Sequence, residues 1–343
     1  DAKHVKGYTL SFIQDPIEKK LVFMGTEHGL WVSMNEGKDW VQFNNGFPSV
    51  STMDLVIQEK ESALVVGTFG RSIWVLDDLK SLREIVASKM KEKITALPMN
   101  EVVQVKGLFI APPGNIWTGF GTTFEGENRP FQLAIIPFYI NELPTKEDGV
   151  QAFIKNNVGD TIMKLNYDKL SPGLNYISWK LDEERVSLSG NYDSDDSRGI
   201  PVLPGIYTAS IKYKGNESST SVKVIADPRF DLKDEVDREL YRFQKAVNKE
   251  EGRLKSIFNV VDSLESQLKK IHEQVIKQSK AAGKLKAVNA VIDQVKQLKL
   301  QGRDRLENRQ VGAWQSNKIT PYFAINAAGK AAMARTNIPS EQD

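Results

Sequence analysis

Residues 25–40 read GTEHGLWVSMNEGKDW, and residues 67–78 read GTFGRSIWVLDD. In both, a Gly-Thr pair ends one apolar run, a short turn follows, and a Trp-Val strand begins. The two Gly-Thr pairs lie 42 residues apart. Short strands repeating every ~40–45 residues are the spacing of β-propeller blades, and a propeller closes with roughly 4–8 of them. This chain holds sequence for fewer than two, which predicts terminal blades of a larger wheel.

Working outward, residues 1–83 read as β throughout. Apolar runs at 8–13, 20–24, 30–33 and 40–43 are punctuated by turn chemistry at Asp15-Pro16, Glu36-Gly37 and Asn45-Gly46. The series restarts at 53–58, 63–66 and 72–76. Residues 84–103 lose this rhythm and read as a charged linker carrying a short helix. The β signal returns over 104–227 with about seven candidate strands, at 105–110, 131–140, 150–156, 161–165, 174–180, 205–213 and 219–225, a cadence that predicts an Ig-like β-sandwich. Trp179 and Tyr207 read as core residues of that sandwich.

From 228 to 343 the pattern turns helical. Leu240, Phe243, Val247, Leu254, Ile257, Val261, Leu264, Leu268, Ile271 and Val275 alternate at 3 and 4 spacing, with Glu250 interrupting, which predicts one heptad seam on a long helix. Ala281-Ala282-Gly283 reads as a turn, with a second helix over 285–300 folding back as a hairpin. A short third helix is expected over 321–335. Pro339-Ser340-Glu341 reads as the start of a further helix, so truncation at both ends is expected. The fold class is multidomain β plus α.

Composition narrows the functions. Net charge is +2 with 26% charged residues, so no global field favours nucleic acid. There is no cysteine, which removes disulfides, thiolate metal sites and cysteine nucleophiles. No apolar run reaches ~18 residues, so no membrane-spanning helix is expected.

The sharpest local motif is Ser33-x-Asn35-x-Gly37-x-x-Trp40, the S-x-[DN]-x-G-x-x-W pattern of an Asp-box. Its chemistry is that of a stapled β-turn. Asn35 serves backbone N–H groups, Gly37 permits positive φ, and Trp40 packs under the hairpin. That assigns these four residues a structural role.

Together with the run from Val66 to Asp78, VGTFGRSIWVLDD, this motif resembles the last blades of Asp-box (BNR) propellers related to sortilin luminal domains and sialidase-like proteins. These include large secreted bacterial proteins labelled glycosyl hydrolases. The likeness continues through Gly126 to Phe131, Pro172 to Asn175 with Trp179, Leu203 to Tyr207 and Asp227-Pro228-Arg229. It implies a non-catalytic C-terminal segment that completes and braces the propeller and mediates protein or glycan contacts, in an extracellular or periplasmic setting. The implied partners are upstream propeller blades and a glycan or protein ligand, with no nucleic acid, no membrane span and no cofactor. The alternative is part of a glycosidase or sialidase-like enzyme whose active site lies on other blades.

Glycoside hydrolysis uses two carboxylates some 5–10 Å apart. Glu27, Glu36, Asp54, Asp77, Asp78, Glu125 and Glu127 are available, yet no spacing pairs them, so no catalytic residue is assigned. Arg71 in the GTFGRS loop and His28 in the earlier turn are candidate ligand contacts. For Arg71 the favoured reading is a buried or blade-closing arginine paired with Asp77 or Asp78. Residues 193–199, DSDDSRG, begin like a calcium loop but place Arg198 and Pro204 where glycine and glutamate belong. His4, His28 and His272 have no metal-binding spacing, and no metal site is expected. Gly119-Phe120-Gly121 precedes a loop instead of a helix, which argues against phosphate binding. Asn216-Glu217-Ser218 is a formal glycosylation sequon.

Overall fold

The computed structural model describes residues 5–44, 46–88, 90–104, 134–186, 199–228, 234–277, 282–302 and a few positions between 320 and 328. The class is β plus α. The chain divides into two units, Asp1–Leu181 with Pro204–Phe230, and Asp182–Leu203 with Asp231–Asp343.

The first unit opens with two antiparallel sheets. One joins β1 (Thr9–Gln14), β2 (Val22–Thr26), β3 (Gly29–Ser33) and β4 (Val41–Gln42) in that order. The next joins β5 (Thr52–Gln58), β6 (Ala63–Thr68) and β7 (Ile73–Leu76). The repeat seen in sequence is a repeat in register. Met24 pairs with Trp31 as Val66 pairs with Trp74, and Phe23 pairs with Val32 as Val65 pairs with Val75.

The two sheets pack face to face through alternate side chains. Phe23 and Val32, with Ile13 packed against them, share a core with Leu55, Leu64 and Val66 of the second sheet. Gly25 marks how closely they approach. A Cβ there would lie 2.4 Å from the Thr52 carbonyl oxygen, a distance no side chain tolerates. The glycine of Gly-Thr is thus required by the neighbouring backbone, whereas Gly37 and Gly29 are required by positive φ.

Helix α1 (Leu79–Ser88) follows and closes the same core with Leu79, Leu82 and Val86. Asp78 starts it by accepting a hydrogen bond from the Ser81 N–H at 3.0 Å. The helix therefore begins within the expected β region. Residues 84–103, expected as a linker, carry the rest of α1 and two strands that belong to the next sheets, β8 (Ile94–Ala96) and β9 (Val102–Gln104). Their short length and mixed composition hid them from pattern reading.

Beyond them stand a three-stranded and a five-stranded sheet. The first has the order β13 (Gly173–Trp179), β10 (Ala134–Ile140), β8. The second has the order β12 (Thr161–Tyr167), β11 (Val150–Lys155), β16 (Gly205–Tyr213), β17 (Asn216–Ala226), β9, the last pair being parallel. Alternation is clearest in β11, where Val150, Ala152 and Ile154 are buried while Gln151, Phe153 and Lys155 face outward. Trp179 is fully buried and meets Tyr207 edge-on at 5.3 Å, so both are core residues. The candidate strand at 105–110 lies outside the described residues.

The second unit contains β14 (Asp182–Glu183), β15 (Ile200–Pro201), α2 (Asp234–Ile276) and α3 (Ala282–Gly302). The arm carrying β14 and β15 is clamped to α2 by polar contacts. Arg185 makes a two-pronged bond to the buried Glu251, Asn248 accepts from the Val186 N–H at 2.9 Å, and Glu183 accepts from Tyr241 and Lys245. Helices α2 and α3 pack as a hairpin, with Phe258 against Gly302. The expected single seam on α2 is corrected. Leu254, Phe258 and Val275 are buried, whereas Ile257, Leu264 and Ile271 are 44–57% exposed. On a straight helix of 3.6 residues per turn, alternating 3 and 4 steps drift between two stripes, and the hairpin covers only one. Most of the expected third helix lies outside the described residues.

Candidate functional site

Ser33, Asn35, Gly37 and Trp40 form one turn. Ser33 Oγ is buried, accepts from the N–H groups of Asn35 at 3.3 Å and Gly37 at 2.9 Å, and donates to Asn35 Oδ1 at 3.0 Å. Asn35 Oδ1 accepts from the Asp39 N–H at 2.9 Å, and its amide donates to the Asp39 carboxylate at 2.7 Å. Gly37 has φ +81°, and the Trp40 ring covers it. Trp40 also meets Phe12 edge-on at 6.3 Å. Five hydrogen bonds in seven residues leave this turn with little capacity for a ligand.

His28 and Arg71 occupy equivalent turns, between β2 and β3 and between β6 and β7. Ser51 ties the two turns together at one end of the sheets. Its hydroxyl donates to the Glu27 carbonyl at 3.2 Å, and its own carbonyl accepts from the Phe69 N–H at 2.9 Å. Gln42 and Ser49 both donate to the His28 carbonyl, so the backbone of this turn is held while the imidazole stays exposed. Arg71 is exposed as well, and its carbonyl accepts from Trp74 Nε1 at 2.9 Å. The exposure of Arg71 corrects the buried half of that expectation; the other half, a blade-closing arginine paired with Asp77 or Asp78, stays an expectation. A turn tip outside the core offers no burial.

Among the described residues the buried arginine is Arg83, which the sequence reading did not single out. Its guanidinium grips both oxygens of Asp15, at 2.8–3.0 Å, and donates to Ser62 Oγ at 3.0 Å. Asp15 also accepts from the N–H groups of Ile17 and Glu18. No local spacing links positions 15 and 83; only the apolar face of α1 around Arg83 hints that this charge is turned inward. Asp78, at the start of α1, is a half-buried acid. Burial pushes its carboxyl above the ordinary range, and Tyr176 beside it is also pushed up, by burial and by the Asp78 charge. The Asp78 Oδ2 and Ser81 Oγ atoms are buried without a hydrogen bond of ordinary geometry among the described residues.

A groove of about 720 Å³ opens at one end of the five-stranded sheet, between the start of β11, the end of β12 and the β16–β17 hairpin. The hairpin turns at Lys214 and Gly215, both with positive φ. Lys214 Nζ contacts Glu142 at 2.8 Å and Asp148 at 2.9 Å, and the Tyr213 hydroxyl donates to Glu142 at 3.0 Å. The Lys214 bond and the Thr145 N–H hold the Asp148 carboxyl at about 2, and the Lys214 and Tyr213 bonds lower Glu142. Lys214 is raised in turn. Gln151 and Asn166, paired across the strands at the groove, make no side-chain hydrogen bond among the described residues. The groove thus joins a locked charged rim to amides with unused donors and acceptors.

Among the described residues, no group of three or more His, Asp or Glu side chains is arranged to hold a metal ion. Residues 193–198 of the calcium-like loop, Gly119 to Gly121, Glu125, Glu127 and His4 lie outside the described residues. No described helix is long and apolar enough to cross a membrane.

No protein-family model matches this chain, and no curated protein matches it. Among solved structures it is similar to the extracellular domain of a one-component system from B. thetaiotaomicron. The identity is 11%, over 65% of this chain and 25% of that one, so this chain spans about a quarter of its neighbour. The TM-score of 0.18 is too low to establish a shared fold.

Proposed function

We propose that this chain is the non-catalytic C-terminal segment of a large secreted Asp-box propeller protein. Its first two sheets are blades that complete and brace the wheel, and its Ig-like sandwich and helical hairpin mediate protein or glycan contact outside the cell or in the periplasm. One observation carries this reading. The face of the first sheet that carries Ile13, Phe23 and Val32 is covered by the second sheet, but the equivalent face of the second sheet is bare. Val56, Val65 and Val75 sit directly opposite one another across its strands. Val56 is 52% exposed and Val75 42%. A row of valines in register is a surface built for another sheet.

The two Gly-Thr glycines repeat the contrast. Gly25 is crowded by the backbone of the next sheet, while a Cβ at the equivalent Gly67 meets only Asp54 at an ordinary 3.5 Å. In a closed propeller both glycines face a neighbouring blade. The test compares Gly25→Ala and Gly67→Ala in this chain and in the natural gene product. In this chain alone, Gly25→Ala is expected to destabilise by about 1–3 kcal/mol through overpacking, and Gly67→Ala to have little effect. In the natural product both are expected to destabilise alike, and its intact mass should be well above 38.5 kDa. A natural product with the mass of this chain, or one that tolerates Gly67→Ala, overturns the reading.

A further inference from the structure

The outward face of the five-stranded sheet carries charge that its own side chains do not balance. On this face Lys164 and Ser210 flank Phe153 on the two neighbouring strands, and Lys212 stands opposite Gln151 and Glu217. The Lys164 and Lys212 ammonium groups lie 5.6 and 5.2 Å from the centroid of the Phe153 ring, which holds two like charges over one aromatic surface. Lys155 is the next outward residue on β11. Glu217 answers two of the three. It lies 3.4 Å from Lys212 and 4.0 Å from Lys155, and it accepts from Ser210. Three lysines against one carboxylate leave a surplus of two positive charges on one sheet face of a protein whose net charge is only +2.

We propose that this face binds an anionic polysaccharide, carboxylated or sulfated, laid across the strands. The ammonium groups would meet its acidic groups. The unspent amides of Gln151 and Asn166, at the adjoining groove, would meet its hydroxyls. A nucleic acid fits less well, because the ring on this face is occupied by lysines and cannot stack on a base. A membrane fits less well, because the Phe153 ring on this face is half-buried and lies beneath two lysines instead of projecting to insert among lipid chains. The proposal names the ligand and site for the glycan contact in the reading above; it does not depend on whether further blades dock.

The test uses the whole chain on immobilised polygalacturonate, dextran sulfate and unmodified dextran at 50 mM and 500 mM NaCl. Retention on one or both acidic polymers, release at high salt and no retention on dextran are expected, since exposed charge pairs are screened by salt. Which acidic polymer is retained separates carboxylate from sulfate recognition. The variant K155Q/K164Q/K212Q should bind at least tenfold more weakly with an unchanged melting temperature. The control K6Q/K19Q/K60Q, which removes equal charge elsewhere, should bind as the parent does. If the triple variant fails to fold, K164Q alone should weaken binding at least threefold. No retention at 50 mM NaCl, equal loss in the control, equal retention on dextran, or tighter binding of double-stranded DNA overturns the proposal. A failed Gly67 test with lysine-dependent retention would leave it standing, and the converse would remove it alone.

Discussion

Arg83 on α1 closes on Asp15 in the first turn of the chain, 68 residues earlier, with three hydrogen bonds of 2.8–3.0 Å to a carboxylate that is fully buried. The pair ties the end of the second sheet to the beginning of the first. A buried ion pair is weak evidence for net stability, because desolvation offsets the attraction, but removing one partner strands the other charge. Arg83→Met is therefore expected to cost about 3–5 kcal/mol, and Asp15→Asn to be costly too. Urea unfolding of both singles and the double variant checks this. The double should cost less than the sum, and strict additivity would show that the contact is not energetically coupled.

Ser33 is the residue on which the turn from Ser33 to Trp40 depends. It serves two backbone N–H groups and donates to Asn35 from a buried position. Ser33→Ala leaves those donors without their partner and should cost about 1–3 kcal/mol. Asn35→Ala should cost less, because Asn35 and Asp39 sit nearer to water. Thermal melting ranks the two. A larger loss for Asn35→Ala would place the weight of the turn on the amide.

The Asp148–Lys214 contact predicts a specific acid response. The folded carboxyl is held at about 2 against an ordinary 3.8, chiefly by the bond from Lys214. A depressed acid stabilises the fold above its unfolded pKa and loses that contribution as pH falls towards its folded one. Asp148→Asn should therefore be less stable than the parent by a constant amount from pH 7 to about 5, and the gap should close between pH 4 and 2. Urea midpoints across that range report it. A gap that persists at pH 2 would mean the loss is one of packing.

Asp78 predicts the opposite sign. Burial raises its folded pKa, so the fold is favoured by protonation and loses that contribution as pH rises through the folded value. Asp78→Asn keeps the oxygen that caps α1 at Ser81 and removes the buried charge. It should be at least as stable as the parent at pH 7, with the advantage shrinking towards pH 3. Loss of stability at pH 7 would show that the cap requires a full negative charge.

Much of this protein is legible in its sequence, for a local reason. Strand alternation, the Gly-Thr repeat, the Ser33–Trp40 turn and the long helical stretch are each set by residues within a few positions of one another. So the sheets, the turn and the helices of the second unit could be placed without coordinates. What lies between elements could not. Arg83 and Asp15 are unremarkable until α1 folds over the first turn, and residues 94–96 and 102–104 become strands only because β10 and β17 offer them edges. The seam on α2 divides into a buried and an exposed half because α3 covers a single side. Of the lysines on the Phe153 face, Lys155 and Lys164 belong to neighbouring hairpin strands, while Lys212 comes from β16, much further along the chain. They form a charged face only through cross-strand register. Local chemistry chose the elements; packing chose which side chains are buried, paired or left facing water.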